Sequence, residues 1–207
     1  KGTGTLIYSL DVNANRIDEI KMTPAVYSAV NLNRTGTTLA FVRQTSDTPP
    51  DVFVASVDDM NPVQITRVNA DLKIPPVGKT EVVTWKSKDG KQIEGLLTYP
   101  VNYQTGQRVP LLLNVHGGPA GVFVQSFVGG RGVYPLATFS SRGYAILRPN
   151  PRGSSGYGTE FRRANLKDWG FGDYQDLMAG VDRVIEMGVA DPERLGVMGW
   201  SYGGFMT

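Results

Sequence analysis

The stretch from Arg194 to Gly204, Arg-Leu-Gly-Val-Met-Gly-Trp-Ser-Tyr-Gly-Gly, constrains this chain more than any other. It reads as a short buried strand, Leu195 to Met198, feeding Gly199-Trp200-Ser201-Tyr202-Gly203. A strand that turns straight into a helix bends so tightly that small residues must flank the central one. The strain pushes that central side chain out at the carboxyl edge of a sheet. A G-x-S-x-G match by itself is weak, so its surroundings decide. Here an apolar run precedes it, and Gly204 is expected to leave room for the helix to approach the strand. Ser201 is the candidate nucleophile.

Composition narrows the setting. With 207 residues, 41% hydrophobic and 19% charged, the chain can bury a real core as one large or two smaller domains. Its 21 basic and 19 acidic residues are interspersed and net to +2, so nothing marks a nucleic-acid or anionic-membrane partner. The absence of cysteine excludes disulfides, thiolate chemistry and Cys-based zinc sites. No apolar run is long enough to span a membrane. The chain starts without an initiator Met and stops inside the first turn of the helix expected after the elbow, so it is read as an internal fragment.

Residues 1–72 read as repeated hairpins. Thr5 to Leu10 and Arg16 to Ile20 flank one turn cluster, Ala25 to Leu32 and Thr38 to Gln44 a second, and Val52 to Val57 and Val63 to Thr66 a third. Short strands between Asn/Asp/Gly/Pro clusters argue an antiparallel region, either closing strands of a β-propeller or half a sandwich. Asp18, Glu19, Asp58 and Asp59 read as solvated hairpin surface.

Ile74-Pro-Pro-Val-Gly78 is a linker by its prolines, which opens a second unit, residues 73–207. A hairpin follows, Glu81 to Lys86 with Gln92 to Tyr99, joined through Asp89-Gly90. Continuous apolar runs at Leu111 to Val115, Tyr144 to Leu147 and Leu195 to Met198 are the mark of strands buried on both faces of a mostly parallel sheet. Between the last two, Tyr174, Leu177, Met178, Val181, Val184 and Ile185 share one face of a helix, with Asp173 as its cap and Gly188 as its stop. Asp191-Pro192 then turns the chain into the elbow strand. This alternation is that of an α/β domain whose site lies outside the carboxyl ends of the strands.

Acyl transfer needs a nucleophile, a base and donors for the oxyanion. Ser201 supplies the first. The N–H of Tyr202, opening the helix after the elbow, is one donor, and His116-Gly117-Gly118-Pro119 offers a second, assigned to Gly118. His116, the chain's only histidine, precedes the serine and is read as shaping that loop rather than as the base. Asp168, Asp173, Asp176, Asp182 and Asp191 are read as caps, exposed helix face and turn. The base and its orienting acid are thus missing from these residues, and the chain alone is expected to be inert. Tyr157 and Arg152 either line the cleft, or their loop's glycines merely let the chain cross the sheet edge. No phosphate-loop, dinucleotide or zinc motif is present, so no cofactor or metal is expected.

Gly199-Trp-Ser-Tyr-Gly-Gly-Phe-Met-Thr207, His116-Gly-Gly-Pro119 and Asn150-Pro-Arg-Gly-Ser-Ser-Gly-Tyr-Gly158 together resemble the prolyl oligopeptidase family of serine peptidases, most closely its acylaminoacyl-peptidase and dipeptidyl-aminopeptidase branch. The resemblance implies the first half of an α/β-hydrolase domain preceded by antiparallel strands from the end of a β-propeller that admits only short peptides. It implies that Ser201 attacks the scissile carbonyl, that the N–H groups of Tyr202 and Gly118 hold the oxyanion, and that an Asp and a His follow further along. Tyr202 departs from the Asn of the prolyl oligopeptidase branch itself, and His116 stands where another branch carries a tyrosine donor. The resemblance leaves a homo-oligomer of the parent protein open. A carboxylesterase or lipase, and a non-catalytic binding module, are the rival readings. Helical structure in residues 1–72, or their packing as a lid, would favour the esterase.

Overall fold

The computed structural model describes residues 2–71, 73, 75–130 and 132–207. Leu72, at the expected boundary, and Ile74 of the expected linker lie outside the described residues.

The expected hairpins form close to residue by residue. β1 (Ile7–Asp11) pairs antiparallel with β2 (Arg16–Ile20). β3 (Val26–Leu32), β4 (Thr38–Gln44), β5 (Asp51–Ser56) and the short β6 (Val63–Gln64) make a four-stranded antiparallel meander in chain order. The turns explain the registers. Asn33 Oδ1 accepts the N–H groups of Thr37 and Thr38, which closes the β3–β4 turn, and Gly36 sits there at φ 74°. One face of this meander is held by Tyr27, Leu39, Phe41 and Ala55. Asp18, Glu19, Asp58 and Asp59 are exposed, as read.

The second sheet has the order β11-β9-β10-β8-β7. β7 (Thr80–Lys86) and β8 (Gln92–Thr98) form the expected hairpin, and β8 is antiparallel to β10 (Ala145–Asn150). Only β9 (Val109–Val115) with β10, and β9 with β11 (Ala190–Gly199), are parallel, so the sheet is mixed rather than mostly parallel. Two short helices, α1 (Leu136–Ser141) and α2 (Thr159–Arg163), flank β10 in sequence, and α3 (Gly172–Glu186) precedes β11. Leu177, Val181 and Val184 of α3 pack on Trp85, Leu97, Leu113 and Leu147. Burying each such side chain contributes about 1.5–3 kcal/mol, which is what holds the helix to the sheet.

Three details differ from the sequence reading. The elbow strand is not buried on both faces: β11 is the sheet's edge, with only β9 beside it, and Leu195 and Val197 are 46% and 45% exposed. Asp173 is not the cap of α3; Phe171 is, and the Asp173 carboxylate lies inside the first turn, fully buried. Tyr174 belongs to the predicted apolar face but is exposed. No helix among the described residues is long and apolar enough to cross a membrane.

Hydrogen bonds tie the first strands to the second sheet. The end of β4 and the residues after it meet the loop that follows β9, through Phe127 N to Gln44 Oε1 and Val128 N to Ser46 O, each 3.0 Å. Residues 2 and 3 lie against the same side of the sheet, with Thr3 N donating to Glu94 Oε1 at 2.9 Å.

Candidate active site

β11 ends at Gly199, and α4 (Tyr202–Met206) begins two residues after Trp200. Ser201 joins them at φ 57° and ψ −119°, a backbone conformation that side chains with a Cβ rarely adopt. The turn is compact because two glycines face each other. A Cβ on Gly199 would stand 2.2 Å from the Gly203 carbonyl oxygen, and one on Gly203 would stand 2.1 Å from that of Val115. The close approach of helix to strand is therefore made by Gly203, not by Gly204, whose Cβ would have 3.6 Å of clearance. Tyr134 braces the bend from outside, its hydroxyl donating to Gly199 O at 2.7 Å.

Ser201 is exposed, and among the described residues its hydroxyl makes no hydrogen bond. The N–H of Tyr202 opens α4 and donates to none of the described residues; the same is true of the N–H of Gly118. The loop after β9 meets the elbow through Gly117, where an added Cβ would lie 3.1 Å from Trp200 O and 3.3 Å from Ser201 Cβ. Gly118 follows at φ 133°. Two neighbouring loops thus bring a strained serine and unbonded main-chain donors to one edge of the sheet.

His116 does not reach the serine. Its Nδ1 lies 2.9 Å from Gly117 O. Its Nε2 lies 3.0 Å from Ser154 Oγ on the far side of the loop. Burial holds the ring's pKa below the usual histidine range, so it stays neutral at pH 7. This is the loop-shaping role read from its position in the chain.

The acidic residues are more occupied than expected. Asp182 is exposed, and Asp168 Oδ2 accepts from Gly172 N at 3.1 Å, in keeping with the reading. Asp176, read as cap or exposed face, is fully buried. Its two carboxylate oxygens accept from Arg152 Nε at 2.9 Å, from Arg152 NH2 at 2.7 Å and from the Arg152 backbone N–H at 2.7 Å. Arg152 also pairs with Asp89 in the β7–β8 turn, and the two carboxylates push its pKa further up. Asp173 accepts from Gly170 N and Tyr174 N at 2.9 Å, and from the Tyr202 hydroxyl. Tyr157 donates to Glu94 Oε1 at 2.8 Å and accepts from Asn150 Nδ2 at 2.9 Å. Arg152 and Tyr157 are therefore spent on the scaffold and do not line the cleft beside Ser201.

A cavity of about 330 Å³ opens between the two loops. Gly117 and Trp200 form its border with the elbow, Phe127 and Tyr134 are among its walls, and Asn114 and Arg148 belong to its lining. Among the described residues no group of three His, Asp or Glu side chains is placed to hold a metal ion.

Residues 134–207, which include Tyr134, the Arg152 loop and the whole elbow, match the sequence description of the prolyl oligopeptidase family. Over that stretch the chain is similar to that family. Among its relatives, an uncharacterized peptidase of Bacillus subtilis, YuxL, is 40% identical over 128 residues, which is 61% of this chain and 19% of the relative. The acylamino-acid-releasing enzyme of Arabidopsis thaliana is 41% identical over 104 residues, 50% of this chain and 13% of that one. A solved acylaminoacyl peptidase, in complex with Z-Gly-Gly-Phe-chloromethyl ketone, superposes with a TM-score of 0.83 at 27% identity, over 100% of this chain and 32% of that one. The chain thus spans a fifth or less of those two curated relatives. As in members of this family, antiparallel strands of propeller type precede an α/β-hydrolase sheet.

Proposed function

We propose that the intact protein is a serine peptidase that hydrolyses short peptides through an acyl-enzyme on Ser201. One observation carries the proposal: an exposed serine hydroxyl without a hydrogen bond among the described residues, held at positive φ directly against Gly117. In this reading Ser201 Oγ bonds to the scissile carbonyl carbon and its proton passes to a base. The carbonyl oxygen, now negative, takes hydrogen bonds from the N–H groups of Tyr202 and Gly118. Each such donor contributes about 3–4 kcal/mol to transition-state stabilisation. The C–N bond then breaks, the amine leaves with the proton, and water releases the acid by the same steps in reverse order.

The base is not His116, whose two nitrogens are engaged with Gly117 and Ser154. It and its orienting carboxylate come, in this reading, from outside these 207 residues, so the isolated chain is inactive. The antiparallel strands between Ile7 and Gln64, with no helix among the described residues of that region, support a peptidase with an entry-restricting first domain over an esterase. We place the division between the two units at residues 72 and 73.

A fluorophosphonate probe tests this directly. The intact protein should be labelled on Ser201, and Ser201→Ala should abolish labelling; persistent labelling of that variant would refute the assignment.

A further inference from the structure

β10 turns alternate side chains to opposite faces of the sheet. Ala145 and Leu147 join the core beneath α3, whereas Ile146, Arg148 and Asn150 face the side covered by residues 121–130 and 132–134. Arg148 is thereby enclosed, only 3% exposed. A cation taken that far from water is costly unless an anion accompanies it. The neighbouring Arg152 shows the usual solution, with Asp176 and Asp89 against its guanidinium.

Arg148 has no such partner. Among the described residues no carboxylate forms an ion pair with it. Among those residues its Nε has no acceptor. Among the described residues its one hydrogen bond is a long one, NH2 to Thr98 Oγ1 at 3.4 Å, and that hydroxyl is shared with Thr80. The Phe123 ring lies 5.8 Å from Cζ and offers a weak cation–π contact. Glu94 stands two residue pairs further along β8, but its Oε1 is taken by Thr3 N and the Tyr157 hydroxyl. Burial alone lowers the guanidinium pKa to about 10, so the group is still a cation at neutral pH.

The cavity that Arg148 lines is the one that Gly117 and Trp200 border at Ser201. We infer that this cavity binds a peptide carboxylate, and that the occupant is the acidic side chain of the residue whose carbonyl Ser201 attacks. The inference rests on the peptidase reading and deepens it by naming the substrate class. A guanidinium presents paired N–H donors that match a carboxylate edge. Phe127, Tyr134 and Trp200 supply apolar area for the methylenes between that carboxylate and the peptide backbone.

The test uses the intact protein and peptidyl-aminocoumarin substrates that differ only as Glu and Gln before the scissile bond. Wild type should favour Glu by tenfold or more in kcat/KM. Arg148→Gln should bring the ratio to near one, and Arg148→Lys should keep a preference for Glu. A ratio near one in wild type overturns the inference, as does a Glu preference that survives Arg148→Gln. A peptide pair that differs as free acid and amide at the carboxyl end separates the two sources of carboxylate. Discrimination confined to that pair overturns the side-chain assignment. The wild-type ratios decide even if the Arg148 variants fail to fold. Fluorophosphonate labelling keeps the readings apart: absent labelling of Ser201 sinks the peptidase reading, whereas labelling with no Glu preference sinks this inference alone.

Discussion

The hydroxyl of Tyr202, the residue after the elbow serine, is hydrogen-bonded to the buried carboxylate of Asp173 at the start of α3. One bond thus links the helix that presents the proposed oxyanion donor to the helix packed beneath the sheet. Hydrogen bonds to charged acceptors contribute about 1.5–3 kcal/mol, and this one spans elements 29 residues apart. Tyr202→Phe should lower stability by roughly 1.5–3 kcal/mol, read as a shift of the denaturant midpoint at unchanged slope. The pH dependence has a definite sign. Burial first, and the Asp173 contact second, raise the Tyr202 pKa above that of a free phenol. The folded state therefore holds the proton more tightly, and this stability is complete below about pH 10 and lost as pH rises. Tyr99, raised to about 12, and Tyr157 act in the same direction. Tyr202→Phe should flatten the alkaline loss of stability in part, and an unchanged alkaline profile would contradict the assignment.

The glycines of the elbow differ sharply in what they tolerate. A Cβ on Gly203 meets the Val115 carbonyl oxygen at 2.1 Å, a backbone atom of β9 that is held between two neighbouring strands. Gly203→Ala should therefore destabilise by more than about 3 kcal/mol or prevent folding, as overpacking against backbone does. Gly204→Ala has 3.6 Å of clearance and replaces a glycine within a helix, so it should be neutral or stabilising by up to about 1 kcal/mol. Thermal unfolding of the two variants side by side checks the ordering.

That contrast marks where the sequence stopped being informative. The G-x-S-x-G spacing announces a cramped turn, but which glycine faces the sheet depends on how α4 crosses β9, and no local pattern carries that. The hairpins were legible because their turns are local: Asn33 closes its turn with its own side chain, and Asp89-Gly90 does so by backbone preference. Arg148 was not, since it reads as the polar end of an apolar strand until a loop more than ten residues upstream is seen to cover it. Asp176 left a faint signal. Asp173 and Asp176 are one helical turn apart, beside the apolar stripe, which is an unusual place for two carboxylates unless both have partners.

The Arg152–Asp176 pair gives a prediction of larger size. Asp176 is fully buried and accepts from the Arg152 backbone and side chain together, joining the Gly/Ser-rich loop to α3, while Asp89 joins the same guanidinium to the β7–β8 turn. Breaking a buried pair by removing one charge leaves the other uncompensated, at a cost of about 3–5 kcal/mol. Asp176→Asn should approach that loss, whereas Asp89→Asn, at a half-exposed position, should cost about 1 kcal/mol or less. Similar losses for the two would mean that Asp176 is not the anchor.

Ser201 itself should be a site where stability and the proposed chemistry oppose each other. Its φ of 57° with ψ of −119° is open to glycine but strained for any residue with a Cβ, by about 1–3 kcal/mol. Ser201→Ala removes the hydroxyl and keeps the strain, so its stability should stay close to wild type, the hydroxyl having no hydrogen-bond partner among the described residues. Ser201→Gly removes both. Against the relief stands the added freedom of a glycine in the unfolded chain, up to about 1 kcal/mol, so the net gain over Ser201→Ala should reach about 1 kcal/mol. Equilibrium unfolding of both variants measures the difference, and neither should react with a fluorophosphonate. If Ser201→Gly were instead the less stable of the two, the bend would not be strained at this residue, and its exposure would need another cause.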